Sequence, residues 1–376
     1  MLKRKSYKKW TLCFLFIFAA VTASVMAINY AVDPMWCFNH ETPYAEWREF
    51  IDERQQKTNL LRFRDFKIDT LIMGSSRVMA MDTALWGPCG FNFGVSSCMA
   101  FELPILMDIF YKTKGYYPNH VILGIDFFAA GTAYGDGSKN NKSKSVQLSL
   151  KSSRFISKLE SLSSIELCRK SINLIIKNLE NDIHYADVKY SSGHMDAHAF
   201  YPPVNDINVK KKIFTETYFG CKKTYSFFAF DNNYKDNLKY ISKLSDTTKV
   251  TPIILPEATP HLRLIAEIPN RLCDYEKMLR ETVEVFGGVW NFMYVNSVTS
   301  EQALWRESSH CLSVVNTWIR DRVTGIGTPP EDFGVYVTKD NIDIHIKTVR
   351  EQILSLVNQT DSWSVFLDTV TDDVYN

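Results

Sequence analysis

The sequence predicts an α/β domain, with a parallel sheet covered by helices on both faces, behind one membrane-spanning helix. Short apolar, β-rich runs alternate with helix-like segments along most of the chain, which is typical of parallel sheets. A charge-free run over residues 10–32 precedes them. With 376 residues, 45% of them hydrophobic and 23% charged, the chain is long enough to bury a sizeable core.

The run over residues 10–32 is predicted to anchor the chain in a membrane. Its 23 residues would span about 34 Å as a helix, enough for a bilayer core of ~30 Å. Residues 1–9 form a basic tail without acidic residues, so the positive-inside rule places the tail in the cytoplasm and the later residues outside it. A signal peptide cleaved near Ala27 is the alternative.

The overall charge argues against a nucleic-acid partner. The chain has 43 Lys and Arg against 42 Asp and Glu, a net charge of +1. A nucleic-acid-binding protein would carry a clear basic excess. The basic residues of the tail are explained by membrane topology.

The remaining elements follow in chain order. Residues 33–66 predict a polar, partly helical neck with an amphipathic helix over 47–63, and residues 67–325 predict the α/β domain. Apolar runs predict strands at 69–73, 91–95, 120–126, 250–255 and 289–295. Helical periodicity predicts helices near 99–114, 165–181, 233–245, 262–286, from just after His310 to about Gly325, and at 341–357.

Two segments depart from the alternation. Residues 131–150 are rich in Gly, Ser, Asn and Lys and predict an exposed loop. They begin a region, 131–248, that we interpret as an insertion or cap over the sheet. Residues 326–376 predict a C-terminal helical extension.

Four short motifs lie where functional residues are expected. In an open parallel sheet, active residues collect at the carboxyl ends of the strands. Three motifs end predicted strands and the fourth follows the last one. They are Gly74-Ser75-Ser76-Arg77, Asn92-Phe93-Gly94, Gly124-Ile125-Asp126 and Glu307-Ser308-Ser309-His310.

In this order the motifs resemble the blocks of the SGNH/GDSL hydrolases. The chain looks most like their membrane-anchored relatives that modify cell-surface polysaccharides, such as alginate O-acetylation proteins. The resemblance covers roughly residues 68–325, with the middle third unmatched. It implies a three-layer α/β/α, flavodoxin-like domain in the periplasm, anchored in a bacterial inner membrane. It also implies a cell-envelope polysaccharide as substrate and an acyl donor delivered by a membrane-embedded acyltransferase.

The resemblance assigns a role to each motif. Ser76 would be the nucleophile, His310 its base and Glu307 the carboxylate that orients the base, since a serine hydroxyl needs such activation. The backbone amides of Ser76 and Gly94 are the candidate donors to the oxyanion. This chemistry needs neither a metal nor an organic cofactor, and the chain has no nucleotide-binding glycine motif.

Asp126 departs from the pattern. The family has Asn there, which donates a hydrogen bond to the oxyanion, whereas an ionised Asp cannot donate. We expect Asp126 to pair with Arg77 and shape the site. The departure also favours an alternative function, a non-catalytic glycan-binding or polysaccharide assembly factor. A lipase-type esterase is a third interpretation.

Three further histidines are candidates for contacting substrate. His194 and His198 have a spacing that would also suit a metal, but no clear third ligand lies near them in the sequence. Contact with a sugar from the cap is the favoured interpretation for both. His261 follows the strand predicted at 250–255 and is expected to line the pocket.

Overall fold

A six-stranded sheet lies at the centre of the computed structural model, which describes residues 2–38, 40, 47–48, 50–132, 142–180, 188–189 and 207–358. The spatial order of its strands is β2-β1-β3-β4-β5-β6. The first five strands are parallel and β6 runs antiparallel to β5. The strands are β1 Thr70–Met73, β2 Gly90–Asn92, β3 His120–Ile125, β4 Lys249–Ile254, β5 Gly288–Asn291 and β6 Val335–Thr338.

Helices surround this sheet. A separate two-residue antiparallel ladder joins Trp47–Arg48 to Val188–Lys189. The helices are α1 Leu2–Val32, α2 Glu53–Phe63, α3 Ser76–Met79, α4 Leu103–Lys114, α5 Lys142–Ser149, α6 Arg154–Ser163, α7 Ile165–Glu180, α8 Ile207–Ser226, α9 Tyr234–Ser242, α10 Thr259–Glu267, α11 Arg271–Phe286, α12 Ser297–Ser300, α13 Ser313–Thr324 and α14 Ile342–Ser355.

Alternate strand residues enter two apolar cores on opposite faces of the sheet. Leu71 of β1 and Val121 of β3 point into the larger core, whereas the next residues, Ile72 and Ile122, enter the smaller one. Helices α2, α4, α9, α11 and α14 cover the larger core, and α3, α12 and α13 cover the smaller. The prediction of an α/β domain with helices on both faces is confirmed.

The sheet is mixed rather than wholly parallel, because β6 runs antiparallel to β5. This strand was not predicted. Its four residues lie in a segment expected to be helical only. Val337 of β6 and Ile346 of α14 both pack in the larger core. Residues 326–358 are therefore part of the domain and not an extension of it.

The predicted neck also belongs to the domain. Helix α2 begins at Glu53, later than predicted, because Asp52 is its N-cap and accepts a hydrogen bond from the Gln55 amide. Leu60 and Leu61 of α2 are buried in the larger core. The domain therefore begins well before residue 67.

Two predicted elements have different bounds. The single helix predicted over 262–286 is wrong, since α10 ends at Glu267 and α11 begins at Arg271. Pro269 between them lacks an amide hydrogen, and Asn270 has a left-handed φ of 70°. The strand predicted to Val295 ends at Asn291.

The exposed loop predicted over 131–150 is wrong for its second half, which contains α5. Ser143 of α5 is buried and donates to Glu102 at 2.6 Å. The same carboxylate accepts from Arg54 Nε at 2.9 Å. A composition typical of loops is thus overridden by a buried polar contact with two distant segments.

The predicted insertion, 131–248, is not one unit. Helix α5 packs on α2 and α4, α9 packs on α4 and α11, and α6 and α7 pack on α1. Helix α8 packs against α10 at the carboxyl edge of the sheet. Of these, α8 has the position expected of a cap.

The N-terminal helix fits the predicted anchor. Over Tyr7–Val32 it is long and apolar enough to cross a membrane, with a mean hydropathy of 2.4 in its most apolar window. A signal sequence near an N-terminus has the same properties. All eight cysteines of the chain are free thiols.

Candidate active site

Ser76 begins the short helix α3 directly behind β1. Gly74 between them has a φ of 148°, and a Cβ there would lie 2.7 Å from the carbonyl oxygen of Gly124. Ser75 is the N-cap of α3, and its Oγ accepts a hydrogen bond from the Arg77 amide at 3.2 Å. The Gly-Ser-Ser-Arg motif therefore turns sharply and leaves half-buried Ser76 at the carboxyl edge of the sheet.

Glu307 and His310 lie on a loop whose two sides are hydrogen-bonded to each other. The Arg306 amide donates to the His310 carbonyl at 3.0 Å, and the Leu312 amide donates to the Leu304 carbonyl at 2.8 Å. These bonds hold the loop as a narrow projection before α13. Its tip presents the Glu-x-x-His motif to α3.

The three predicted catalytic side chains meet in this structure. Ser76 Oγ lies 2.9 Å from Nε2 of His310. Nδ1 of the same ring hydrogen-bonds Oε1 of Glu307. The His310 side chain is 22% exposed, so a ligand can approach it. A serine, a histidine and a carboxylate in line are the groups that activate a serine hydroxyl.

The surroundings of Glu307 stabilise its ionised form. Its second oxygen accepts a hydrogen bond from the Ser309 amide at 2.6 Å. Burial raises the pKa of Glu307, but the charge of His310 and the hydrogen bonds from His310 and the Ser309 amide outweigh burial and lower that pKa. An ionised Glu307 favours a proton on Nδ1 of His310, which leaves Nε2 to accept the proton of Ser76.

The oxyanion donors differ from the prediction. The Gly94 amide donates to Oδ1 of Asn92 at 3.0 Å, so in this structure it is not free to bind an oxyanion. Nδ2 of Asn92 donates to the Val78 carbonyl at 2.7 Å and thereby ties the end of α3 to β2. The Ser76 amide lies in the first turn of α3, where amides have no intrahelical acceptor. It is the candidate that the geometry supports.

Arg77 binds two carboxylates under the serine. Its Nη1 lies 2.8 Å from Oδ1 of Asp126 and 2.6 Å from Oε1 of Glu257, and the side chains of all three residues are buried. The expected pairing of Asp126 with Arg77 is therefore present, and Glu257 adds a second acid. Burial raises the pKa of Asp126 more than the charge of Arg77 lowers it.

Helices α8 and α10 complete this cluster. Tyr225 of α8 donates to Oε2 of Glu257 at 2.5 Å, and Nδ1 of His261 lies 3.5 Å from the same oxygen. Burial acts to raise the pKa of Glu257, but Arg77, His261 and Tyr225 together lower it to about 2. Burial acts to lower the pKa of His261, but Cys221 and Glu257 raise it to about 10. We call Arg77, Asp126, Glu257, Tyr225 and His261 the buried charge cluster.

His261 does not have the position predicted for it. Its side chain is fully buried in the first turn of α10, against Glu257. A substrate cannot touch it in this structure. The expectation that His261 lines a pocket is therefore wrong, because the turn after β4 directs the side chain inward.

A second buried cation lies behind the Asn-Phe-Gly motif. Lys57 of α2 is fully buried, and its Nζ donates to the Gly94 carbonyl at 2.6 Å. Burial lowers the pKa of Lys57 to about 7, against the opposing effect of Glu53. Lys57 thus holds the peptide of Gly94 from the larger core.

His194 and His198 lie outside the described residues. Within the part of the chain that the structure describes, no group of three or more His, Cys, Asp or Glu side chains could hold a metal ion.

No protein-family model, no curated protein and no solved structure matches this chain. A functional assignment therefore depends on the residues and their geometry.

Three residues of the site were missed in the sequence. Glu257 follows β4, and a carboxylate just beyond a buried strand is a signal for this edge of a sheet. Tyr225 lies in an aromatic stretch that reads as core. Lys57 lies on an amphipathic helix where a solvated lysine is the usual expectation, and no local signal distinguishes it.

Proposed function

We propose that this chain is a membrane-anchored, serine-dependent enzyme of the SGNH hydrolase type. It would transfer or remove an O-acyl group, acetyl foremost, on a cell-envelope polysaccharide. The observation that carries the proposal is the continuous hydrogen-bonded line from Ser76 through His310 to Glu307.

The sheet topology supports the proposal. The order of the five parallel strands, 2-1-3-4-5, is the flavodoxin-like order of doubly wound sheets. Ligands of such sheets bind at the carboxyl edge between the first and third strands. Ser76 follows β1 and Asp126 follows β3, so both belong to that edge.

The chemistry follows from the geometry of the three side chains. Ser76 Oγ attacks the acyl carbonyl while its proton passes to Nε2 of His310. The donor alcohol then leaves with that proton, and the acyl group stays on Ser76 as an ester. A glycan hydroxyl or water next gives its proton to His310 and takes the acyl group, and His310 returns that proton to Ser76 Oγ as the ester bond breaks. Glu307 stabilises His310 while it is charged.

The location follows from α1. With the N-terminus in the cytoplasm, the domain would be periplasmic and anchored in a bacterial inner membrane. A membrane-embedded acyltransferase could then deliver the acyl group directly to Ser76. No cofactor takes part in the proposed steps.

A non-catalytic glycan-binding or assembly factor is the second candidate. Two observations favour it: the Gly94 amide is occupied by Asn92, and Asp126 is committed to Arg77. Both remove donors that the resemblance would assign to the oxyanion. Against it, nothing in a binding role requires Ser76, His310 and Glu307 to lie in line.

Active-site labelling separates the two candidates. The full chain in detergent is treated with a fluorophosphonate, and the intact mass is measured for wild type, Ser76→Ala and a control, Ser226→Ala, on the exposed end of α8. We expect one adduct on wild type and on the control, and none on Ser76→Ala. A folded wild type without an adduct would reject the enzyme.

A further inference from the structure

The helices α6 and α7 are joined to the end of α1 by one buried side chain. Nδ2 of Asn29 donates to the carbonyls of Ser161 at 3.2 Å, Leu162 at 2.9 Å and Ser164 at 2.9 Å. Oδ1 of Asn29 accepts from Ser171 Oγ at 3.1 Å. Because Asn29 is buried and fully hydrogen-bonded, the α6–α7 hairpin is fixed against the last turn of α1.

Two aromatic residues indicate the depth of this junction. Trp10 and Tyr30 are both exposed on α1 and lie about 30 Å apart along the helix, the thickness of a bilayer core. Tryptophan and tyrosine concentrate at the two surfaces of a membrane. Asn29 is adjacent to Tyr30, so a bilayer core placed between Trp10 and Tyr30 would have the α6–α7 hairpin at its surface.

The hairpin exposes an apolar stripe at this level. Ile165, Ile172, Ile176 and Leu179 of α7 recur at the spacing of one helix face, and Ile165 and Leu179 are 76% and 78% exposed. A different face of α7, which includes Leu174, packs with Val32 of α1. Helix α7 therefore has a second apolar face that no described part of the domain covers.

A basic cleft adjoins the hairpin. Two neighbouring cavities, of about 360 and 460 Å³, share Arg62 and Arg154 and together are lined by seven basic side chains and one acidic one. Lys151 and Arg154 are exposed and form no ion pair within the described part of the chain. Burial lowers the pKa of Lys114 to about 8, and the charge of Arg154 contributes to that shift.

The cleft adjoins the segment that follows α1. Arg64 at its rim donates to the Phe38 carbonyl at 2.8 Å, and Phe38 lies a few residues beyond α1. Lys158 of α6 lies 5.3 Å from the centre of the Phe38 ring. The basic groups and the apolar stripe thus flank the point where the chain leaves the membrane.

We propose that the apolar stripe of α7 and the basic cleft form one lipid-docking surface, in which the stripe enters the membrane interface and the cleft binds the phosphate groups of anionic phospholipids. Apolar side chains beside a basic face are what an interfacial helix uses to bind a membrane. The surface gives the domain a second contact with the bilayer beside α1 and so holds it in one orientation there. It is independent of the chemistry at Ser76.

Fluorescence quenching by lipids tests the stripe. The full chain, with the exposed Cys13 and Cys273 changed to Ser, is placed at one copy per nanodisc and labelled with an environment-sensitive dye at Ile172→Cys. Ile344→Cys is the control, because Ile344 is the same residue type and is 74% exposed against 43% for Ile172, but lies on α14. We expect lipids with a shallow spin label to quench the dye at 172 about twofold and to leave the dye at 344 unchanged.

Two outcomes would overturn the stripe's role. A dye at 172 that is quenched no more than the dye at 344 would place the stripe in water. A blue-shifted but unquenched dye at 172 would show that protein, not lipid, covers it. Either result leaves the labelling of Ser76 unaffected, since the two tests share no residue.

Charge reversal tests the cleft. In discs with about one third anionic lipid, quenching at 172 should increase over neutral discs, and Lys151→Glu with Arg154→Glu should remove that increase. Equal quenching in both lipids for both proteins would reject phosphate binding by the cleft.

Discussion

Two Glu–His pairs lie at the same edge of the sheet and differ in almost every other respect. Glu307 and His310 lie on a loop, and the histidine is partly exposed with its Nε2 2.9 Å from Ser76 Oγ. Glu257 and His261 are fully buried, with Nδ1 of the histidine 3.5 Å from the carboxylate. The residue types are the same, and the surroundings are not.

The difference lies in what else each carboxylate binds. Glu307 accepts from His310 and from one backbone amide, so among the described residues His310 is its one side-chain hydrogen-bond partner. Glu257 also binds Arg77 and Tyr225. A pair with one exposed nitrogen can pass a proton, whereas a pair enclosed by further charges is a fixed structural unit. Exposure and partners, not the Glu–His combination, distinguish the candidate catalytic pair from the enclosed one.

The largest expected effect is a difference in the labelling rate of Ser76 between variants of the two histidines. His310→Gln should slow phosphonylation of Ser76 by the fluorophosphonate, with loss of fluoride, by about 10³-fold or more, because the base is lost. His261→Gln should slow it less than about tenfold, since His261 does not touch Ser76. Labelling reactions that are quenched at successive times and analysed by mass spectrometry measure both rates. Similar losses in the two variants would mean that the buried pair takes part in the chemistry.

Arg77→Met should cause the largest loss of stability. It leaves Asp126 and Glu257 buried without their common counter-charge, which costs about 3–5 kcal/mol. Urea unfolding of the full chain in detergent measures the change. Arg169→Met is the control, because Arg169 pairs with Glu166 in full solvent exposure and should change stability little. An equally small effect for Arg77 would show that the cluster is not a structural unit.

The buried pair should also reveal itself in the pH dependence of stability. The pKa of His261 is raised to about 10, so its stabilising contribution is complete below about pH 6.5 and is lost as the pH rises through 10. The stability of wild type relative to His261→Gln should fall by up to about 1.4 kcal/mol per pH unit in that window. Unfolding midpoints at several pH values test this.

His345→Gln provides the control for that measurement. Burial lowers the pKa of His345 to about 4, so its proton is absent from both folded and unfolded chains well above pH 6.5. The difference between wild type and His345→Gln should therefore be flat from pH 7.5 upward. A slope there equal to that of His261→Gln would point to a general effect of pH on the protein.

For Lys57, the change of stability with pH should have the opposite sign. Its pKa falls to about 7 in the folded chain, so between about pH 7 and 10 the unfolded chain binds the extra proton. The stability of wild type relative to Lys57→Met should rise by up to about 1.4 kcal/mol per pH unit over that range. When stability is measured only between pH 7 and 8, this rise is the smallest of the expected effects. A flat difference would mean that Lys57 keeps its charge in the core.

Much of the fold could be predicted because its signals are local. The runs that form β1, β3 and β4 are apolar on both faces, and this is visible within six residues. Strand β6 was missed although its residues Val335–Thr338 favour strands, because the segment was expected to be helical only. The occupied amide of Gly94 had a local signal, since an Asn side chain often bonds the amide two residues later.

The candidate site likewise has features that local sequence predicts and features that it does not. Glu-x-x-His and Gly-Ser-Ser-Arg could be recognised as motifs, and their side chains meet as expected. The burial of His261 could not be recognised, because it depends on Glu257 and Tyr225 packing around it. Likewise the basic cleft at Arg62 and Arg154 collects residues from separate helices.

Local sequence patterns are enough to predict the charge-free apolar helix, the strands with two buried faces and the turn that presents Ser76. Each depends on hydrophobicity or backbone preference over a few neighbouring residues. By contrast, no local pattern predicts that Arg77 meets Asp126 and Glu257, which lie 49 and 180 positions away. Those encounters depend on how strands are ordered in the sheet, and a buried charge has no energetic meaning until its partners are in place.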